Sequence, residues 1–205
     1  ASDTIGACAT TGTGTCTLRD AITYANSNAG ADTITFNIPS GGACSAANTC
    51  TITLGSTLPT ITDGVTIDGK SNAASITVDG NHQYRVMLIT SASAVTIDSL
   101  TIANGSSGNS SGGGIRNEGT TLNVLNCTFT GNSTTNVGGA IYNASAGSTL
   151  NVTNSTFSDN TAGNGDGGAI LSFGTLNVTN STISGSTGSG ISSHATTTLK
   201  NTIVA

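Results

Sequence analysis

A repeated unit constrains this chain more than any other feature of its sequence. Residues 121–132 recur as residues 149–160 and again as residues 175–186, with Leu-Asn-Val at the same place in every copy. Apolar and polar residues alternate within each copy, which is typical of short β-strands. A glycine-rich loop then leads into a third short apolar piece, such as residues 139–143. Each unit is therefore predicted to hold three short strands.

Earlier parts of the chain fit the same frame, at spacings of 26 to 31 residues. Units of this length cannot bury their apolar side alone, so they stack and their strands form parallel sheets. The sequence predicts an all-β fold: a single-stranded, right-handed parallel β-helix of pectate-lyase-like form, with three short strands per coil and about seven coils. The first strands of successive coils are expected around Ile34, Val65, Val95, Leu122, Leu150 and Leu176.

Alternation assigns an inward and an outward face to each sheet. The outward row of the first sheet is expected to be Thr35, Thr66, Thr96, Asn123, Asn151 and Asn177. The inward column of the second sheet is expected to be Ile52, Val78, Ile102, Phe129, Phe157, Ile183 and Ile203. Its outward residues form a threonine ladder of Thr51, Thr77, Thr101, Thr128, Thr156, Thr182 and Thr202. The third sheet supplies the inward residues Ile115, Ile141, Ile170 and Ile191.

The first coil needs a cover, because the open end of such a stack exposes unpaired backbone groups. Residues 17–25 predict a capping helix, in which Thr17 and Asp20 form a capping box and Leu18, Ala21, Ile22 and Ala25 form an apolar stripe. We therefore divide the chain into residues 1–32, a disulfide-containing segment with the capping helix, and residues 33–205, the β-helix. The last coil is incomplete, which predicts either a fragment or an edge that meets another subunit.

The five cysteines occur as two close pairs and one single residue. Cys8 with Cys16, and Cys44 with Cys50, each close a short loop of small residues, which favours disulfides and an oxidising compartment. Zinc binding is the alternative, but the spacings are not those of zinc knuckles and no histidine is near either pair. Cys127 falls at an inward position and is predicted to be a buried thiol without a reactive role.

Three asparagines recur where the first strand of a coil turns into the second. Asn126, Asn154 and Asn180 share this position in successive copies. Stacked amides can bond each other and the backbone of the turn. The sequence therefore predicts a structural asparagine ladder at this corner.

The charge and hydropathy of the chain argue against a nucleic-acid partner and against a membrane-spanning helix. The net charge is −5 and the five Lys and Arg residues are not clustered, so nucleic acid is not an expected partner. No stretch approaches the roughly 20 apolar residues of a membrane-spanning helix, so no transmembrane segment is predicted. Any signal peptide is expected to have been removed.

Several motifs resemble those of known bacterial proteins. Residues 16–22, 30–36 and 65–69 are similar to the bacterial extracellular proteins that open with a CSLREA-type segment, although Thr17 and Asp20 stand where that segment usually has Ser and Glu. The later Gly-Gly-Ala-Ile and Thr-Phe-Ser-Asp-Asn motifs are similar to repeats of polymorphic outer-membrane proteins and autotransporter adhesins. The resemblance implies a right-handed β-helix that is secreted or displayed on a bacterial cell surface. It supplies no catalytic residues.

Carboxylates are the first candidates for chemistry, because parallel β-helices also host polysaccharide lyases and hydrolases. Asp68 and Asp98 share one position on neighbouring coils, and with Asp79 they could bind Ca²⁺ or assist sugar chemistry. Nearby in the sequence lie Lys70, His82 and Arg85. The favoured interpretation is that the Asp-Gly pairs are turn residues. No cofactor is expected, and Ca²⁺ is the one ion that these carboxylates could hold.

These observations favour a non-catalytic extracellular scaffold, structural or adhesive, whose partners are other copies of itself or a cell-surface glycan or protein. Association end to end would produce filaments. The alternative is a polysaccharide-active enzyme, and a minor alternative is ice binding, for which the second outward row is too mixed. No catalytic residue is assigned. The candidate ligand-binding residues are the outer threonines Thr51, Thr77, Thr101, Thr128, Thr156 and Thr182.

Overall fold

The computed structural model describes residues 16–38, 44, 49–71 and 75–205. Within these residues the chain winds into a parallel β-helix, in which each strand pairs with its counterparts in the coils before and after it. Two of the main sheets have seven strands and the third has five. Five consecutive coils therefore contribute to all three sheets. The predicted parallel β-helix is confirmed.

The strands, numbered in chain order, form three long sheets. The first sheet contains β1 (Asp32–Thr35), β3 (Val65–Asp68), β6 (Val95–Asp98), β9 (Thr121–Leu125), β13 (Thr149–Thr153), β17 (Thr175–Thr179) and β20 (Thr197–Lys200). The second contains β2 (Thr49–Thr53), β4 (Ser75–Asp79), β7 (Leu100–Ala103), β10 (Thr128–Thr130), β14 (Thr156–Ser158), β18 (Thr182–Ser184) and β21 (Ile203–Val204). The third contains β5 (Met87–Ile89), β8 (Ile115–Asn117), β12 (Ile141–Asn143), β16 (Ile170–Ser172) and β19 (Ile191–Ser193).

Two minor elements lie between the long sheets. A short parallel pair joins β11 (Ser133–Thr134) to β15 (Thr161–Ala162), at the corner between the second and third sheets. A single 3₁₀ turn, Gly69–Ser71, follows β3. Both belong to corners of the coil, where the backbone changes direction.

The core consists of columns of equivalent side chains. Phe129 and Phe157 are fully buried and stack with ring centroids 4.7 Å apart and an interplanar angle of 4°. Met87, Ile115 and Ile141 begin the column of the third sheet and are likewise buried. Parallel pairing at about 4.8 Å per strand brings identical positions into van der Waals contact. The predicted columns of the second and third sheets are confirmed, apart from Ile203 in the last coil.

The register of the first coil differs from the prediction by two residues. Ile34 pairs with Ile67 rather than with Val65, so Thr33 stands beside Thr66 and Thr35 stands beside Asp68. The assignment of Thr35 to the outward row of Thr66 was therefore wrong. A shift of two residues preserves which side chains point inward, so hydrophobic alternation alone does not distinguish the two registers.

The register of the last coil differs by one residue. Thr202, expected in the threonine ladder, lies one position earlier, and its hydroxyl donates to the carbonyl oxygen of Lys200 at 2.9 Å. Asn201 takes up a left-handed backbone conformation and donates to the side-chain oxygen of Asn180, which fixes the turn at this residue. Ile203 consequently pairs with Thr182 and is 63% exposed, so its assignment to the inward column was wrong.

The predicted capping helix is present as α1 (Leu18–Ser27). Thr17 and Asp20 form the capping box in both directions. Leu18, Ile22 and Ala25 are buried and belong to the same hydrophobic core as the strands of the first coils. Because these side chains recur on one face of the helix, α1 can cover the core while its polar face stays in solvent.

The two predicted disulfides have different outcomes. Cys44 and Cys50 are bonded to each other, and Cys50 also takes an inward position in β2. Cys8, the expected partner of Cys16, lies outside the described residues. The division of the chain at residues 32 and 33 stays a prediction.

Glycines form one column at the corner that precedes the third sheet. Gly113, Gly139 and Gly168 occupy equivalent positions, two residues before the isoleucines of β8, β12 and β16. A Cβ atom on Gly139 would overlap the carbonyl oxygen of Gly168, and its neighbours in the column are equally crowded by backbone. The Gly-Gly-Ala-Ile motif therefore occurs where the backbones of successive coils lie too close together to admit a side chain.

Candidate functional site

The threonine ladder has the predicted register along six coils. Thr51, Thr77, Thr101, Thr128, Thr156 and Thr182 are paired in sequence. Thr156 is exposed and the others are half-buried, so the hydroxyls face solvent as a straight row. The adjacent outward row contains Asp79, Ala103 and Thr130, which differ in size and charge. The ladder is thus a regular surface without a chemically distinct spot, and a ligand-binding role for it stays a prediction.

The acidic cluster is held together by hydrogen bonds. Asp68 and Asp98 are in register on β3 and β6, as predicted. Asp98 accepts from the ammonium of Lys70 at 2.5 Å, from the amide of Asn126 at 2.9 Å and from the hydroxyl of Ser99 at 2.9 Å. Burial disfavours the charged form of Asp98, but these donors outweigh burial and hold the pKa of its carboxyl below the usual value.

Asp79 belongs to a different corner from Asp68 and Asp98. Its carboxylate accepts from the backbone N–H of Asn81 at 2.7 Å and from the amide of Asn104 at 3.0 Å. This is the bonding of a turn residue. Within the ranges that the structure describes, no three His, Cys, Asp or Glu side chains converge as a metal site would require. Calcium binding stays untested.

The asparagine ladder is confirmed and is longer than the prediction. Asn154 donates to Asn126 at 3.3 Å, Asn180 donates to Asn154 at 3.2 Å and Asn201 donates to Asn180 at 3.1 Å. Each of these residues has a positive φ, between 47° and 53°. Asparagine is among the few non-glycine residues that tolerate this conformation, so one residue type supplies both the turn and the bond between coils.

Aromatic and charged side chains gather on the outer face of the third sheet, where the sequence reasoning identified no site. Arg116 lies 5.2 Å from the ring centroid of Tyr142, and it forms an ion pair with Glu118 at 2.6 Å. The Tyr142 ring meets Phe173 edge-on at 6.0 Å, and Phe173 stacks on His194 at 4.7 Å. We call these five residues the sheet-3 patch.

Two rows of equivalent positions produce the sheet-3 patch. Arg116 and Tyr142 directly follow the inward isoleucines of β8 and β12. Glu118, Phe173 and His194 lie three residues after the inward isoleucine of their own coil, and their backbone N–H groups bond the preceding coil in the same way. Counting from the isoleucine column would have revealed the alignment. The signal was missed because the loops before these strands differ in length, so the residues are not equally spaced in the sequence.

A second arginine lies beside the patch. Arg85 donates to the carbonyl oxygens of Gly112 and Ser111 and, at 2.7 Å, to the hydroxyl of Ser110. Arg116 donates to the same hydroxyl at 3.3 Å. Burial lowers the pKa of Arg85, and the neighbouring Arg116 lowers it further. Two guanidinium groups therefore meet at one hydroxyl, with Glu118 as the carboxylate that partly balances them.

A pocket of about 300 Å³ opens at the edge of the patch. Glu118 belongs to both, and the remaining walls include the polar side chains of Thr90, Thr120 and Ser145. Gly119 and Gly147 complete the rim. The walls can donate and accept hydrogen bonds, and Ala92 is the one apolar side chain among the lining residues.

Cys127 has the properties of a structural residue. It lies at the inward position occupied by Leu100 in the preceding coil and Ser155 in the next, and its thiol donates to the carbonyl oxygen of Leu125 at 3.1 Å. Burial raises the pKa of this thiol to about 11, so the reactive thiolate is scarce at neutral pH.

Comparison with known proteins gives one family match. Residues 126–144 and 154–172 both match the model of the Chlamydia polymorphic membrane protein repeat. Each segment begins at a ladder asparagine and includes a strand of the third sheet, β12 or β16, at its end. No curated protein and no solved structure matches the chain.

Among the described residues, no helix has the length and apolar character to span a membrane.

The matched segments cover less than half of the chain, and they coincide with its most regular coils. Repeat and fold agree with one another, since one coil of the β-helix corresponds to one copy of the repeat. The chain is therefore a parallel β-helix repeat protein similar to the polymorphic membrane proteins of Chlamydia.

Proposed function

We propose that this chain is a non-catalytic scaffold outside a bacterial cell, which adheres to a partner through the lateral faces of the β-helix. The observation that carries the proposal is the match of two successive coils to a repeat of polymorphic membrane proteins. A coil-on-coil stack uses its backbone hydrogen bonds internally, so its outward side chains stay available to a partner. The match supports a surface location, and the polar outer rows support exposure to water.

The sheet-3 patch is the part of the surface best suited to adhesion. The rings of Tyr, Phe and His provide large contact area with little loss of conformational freedom, and Tyr and Arg are enriched among the residues that dominate binding. The outward rows of the first and second sheets consist mainly of Thr, Ser and Asn and hold no aromatic side chain. We therefore place the adhesive contact at the patch rather than on the threonine ladder.

Adhesion can be tested with beads coated with the purified chain and incubated with cultured animal cells or with bacteria. We expect attachment above that of albumin-coated beads, and inhibition by the soluble chain. A Thr128→Ser/Thr156→Ser variant, altered only in the ladder, should attach as the wild type does. The proposal would be contradicted if the coated beads attached to none of the surfaces tested. Depolymerisation of pectin or alginate that the Asp98→Ala variant loses would also contradict it, because this result would indicate an enzyme.

Filament formation is a finer version of the scaffold hypothesis. Electron microscopy of the purified chain after incubation at increasing protein concentration tests it directly. Filaments whose length grows with concentration would support self-association, whereas particles of monomer size at every concentration would restrict the proposal to adhesion.

A further inference from the structure

The sheet-3 patch has a gap at its centre. Along the row that contains Glu118 and Phe173, the intervening coil supplies Ala144, whose N–H bonds the preceding coil at the equivalent position. The small side chain of Ala144 therefore separates the positions of Glu118 and Phe173, each one coil away, about 4.8 Å along the stack. The polar pocket opens beside this gap, since Ser145 lines it. We call the surface around Ala144, between Glu118 and Phe173 and beside the pocket, the notch.

The notch lies in a locally positive region of an acidic protein. The chain carries a net charge of −5 and only five Lys and Arg residues. Two of them, Arg85 and Arg116, meet here around one hydroxyl, and Glu118 is the carboxylate beside them. The Phe173 and His194 rings stand stacked on one another, so they present their edges outward. Aromatic edges carry partial positive charge, which adds to the attraction for an anion.

We infer that the notch binds an acidic saccharide, a sugar chain that carries carboxylate or sulfate groups; the inference rests on the proposed adhesive function and names its ligand class. The acidic group lies against Arg116, whose guanidinium has N–H donors beyond those that bond Glu118 and Ser110. Neighbouring hydroxyls of the sugar bond Glu118, Thr120 and Ser145 in the pocket. The C–H surface of the sugar packs against Phe173.

A saccharide fits this surface better than a peptide does. A peptide that binds by strand addition needs a free sheet edge, and the patch lies on the face of a sheet whose strands β8, β12 and β16 are paired on both sides. A peptide that binds by an apolar anchor needs a hole lined by large apolar side chains, whereas the pocket is lined by Thr, Ser, Glu and Gly residues and by the small side chain of Ala92. An acidic saccharide carries alternating hydroxyl and acidic groups, which can form hydrogen bonds with pocket walls of this kind.

Titration calorimetry on the full chain tests the inference, with hexagalacturonate, an oligosialic acid and a heparin hexasaccharide as probes. We expect at least one of them to bind, and binding to weaken as NaCl concentration rises. Arg116→Gln should weaken that binding at least about tenfold, since a hydrogen bond to a charged group is lost. Phe173→Ser should weaken it without any change of charge. Lys200→Gln is the matched control, because it removes the same charge from a site away from the patch, and it should bind as the wild type does.

Two comparisons identify the ligand class. Methyl-esterified hexagalacturonate, which lacks the charge, should bind at least about tenfold more weakly than the acid. Hexaglutamate should bind more weakly than the acidic glycan that binds most tightly. If hexaglutamate bound equally or more tightly, the ligand class would be an acidic peptide and not a saccharide. The inference is overturned if no acidic glycan binds, if the ester binds as well as the acid, or if Arg116→Gln and Phe173→Ser both leave binding unchanged.

The bead assay separates this inference from the proposed function. If coated beads attach to cells but no acidic glycan binds or competes, adhesion stands and the saccharide is wrong. If acidic glycans bind through the notch but beads attach to no surface, the binding site stands and the adhesive function is wrong.

Discussion

Buried asparagines join neighbouring coils at the corner between the second and third sheets. The side-chain oxygen of Asn160 accepts from the backbone N–H of Asn132 at 3.1 Å and from its side-chain amide at 3.0 Å. The amide of Asn160 donates to the carbonyl oxygen of Phe129 at 3.0 Å. Both asparagines are fully buried. A polar side chain is stable in this position because its donors and acceptors are satisfied by the adjacent coil.

Asn160→Ala is expected to destabilise the fold by about 2 to 4 kcal/mol, because it removes three buried hydrogen bonds, among them the bond to the backbone N–H of Asn132. Urea denaturation gives the free energy of unfolding. Asn164→Ala is the control, since Asn164 is exposed and its amide bonds only Asn136. The control should change stability by less than about 0.5 kcal/mol. Equal effects of the two variants would show that the buried network contributes nothing.

The Cys127 thiol should make stability depend on alkaline pH. Burial raises its pKa from 9.0 to about 11, so the folded chain holds this proton more tightly than the unfolded chain does. The resulting stabilisation is complete below pH 9 and is lost as the pH rises toward 11. Cys127→Ser lacks this titration and repeats the serine found at this position in the next two coils.

We therefore expect the free energy of unfolding to fall more steeply for the wild type than for Cys127→Ser between pH 9 and 11. At neutral pH the variant should lose less than about 1 kcal/mol, since serine is accepted at the equivalent positions. Urea denaturation of both proteins across this pH range measures the difference. Parallel curves would mean that the thiol titrates normally in the folded chain.

At the scale of elements, close approach of the backbone explains the glycine column before the third sheet. Gly139→Ala should destabilise the protein by about 1 to 3 kcal/mol, because the new methyl group would overlap the carbonyl oxygen of Gly168. Gly55→Ala is the control, since a Cβ atom there meets no atom within 4 Å. Thermal denaturation compares the two variants. A Gly139→Ala protein as stable as the control would show that the coils can move apart at this corner.

Much of each element could be predicted because the repeat and the alternation point to the same structure. The stack of Phe129 on Phe157 followed from two copies of one motif, and the capping box of α1 followed from Thr17 and Asp20. The registers of Ile34 and Ile203 did not follow. At Ile34, a shift by two residues leaves the pattern of inward side chains unchanged. At Ile203, the turn at Asn201 decides the register. The left-handed backbone conformation of Asn201 is not visible in the alternation of apolar and polar side chains.

The sheet-3 patch exists only at the scale of the whole molecule. Arg116, Tyr142, Phe173 and His194 come from four coils and are separated by loops of unequal length. Their contacts follow from coil stacking, because strands in register place equivalent positions about 4.8 Å apart. A site of this kind is visible in a sequence only after the strands have been aligned on their inward residues.

Coil stacking is the central claim, and distances between spin labels on the threonine ladder test it most directly. Labels are attached to cysteines introduced in pairs in a Cys127→Ser background. In a parallel β-helix, Thr77 and Thr182 are separated by four strand spacings, about 19 Å, and Thr51 and Thr182 by five, about 24 Å. Pulsed electron paramagnetic resonance should give a narrow distribution of label-to-label distances for each pair, and the two mean distances should differ by about one strand spacing. Broad distributions, or two distances without this step, would contradict the stacked-coil structure and every surface derived from it.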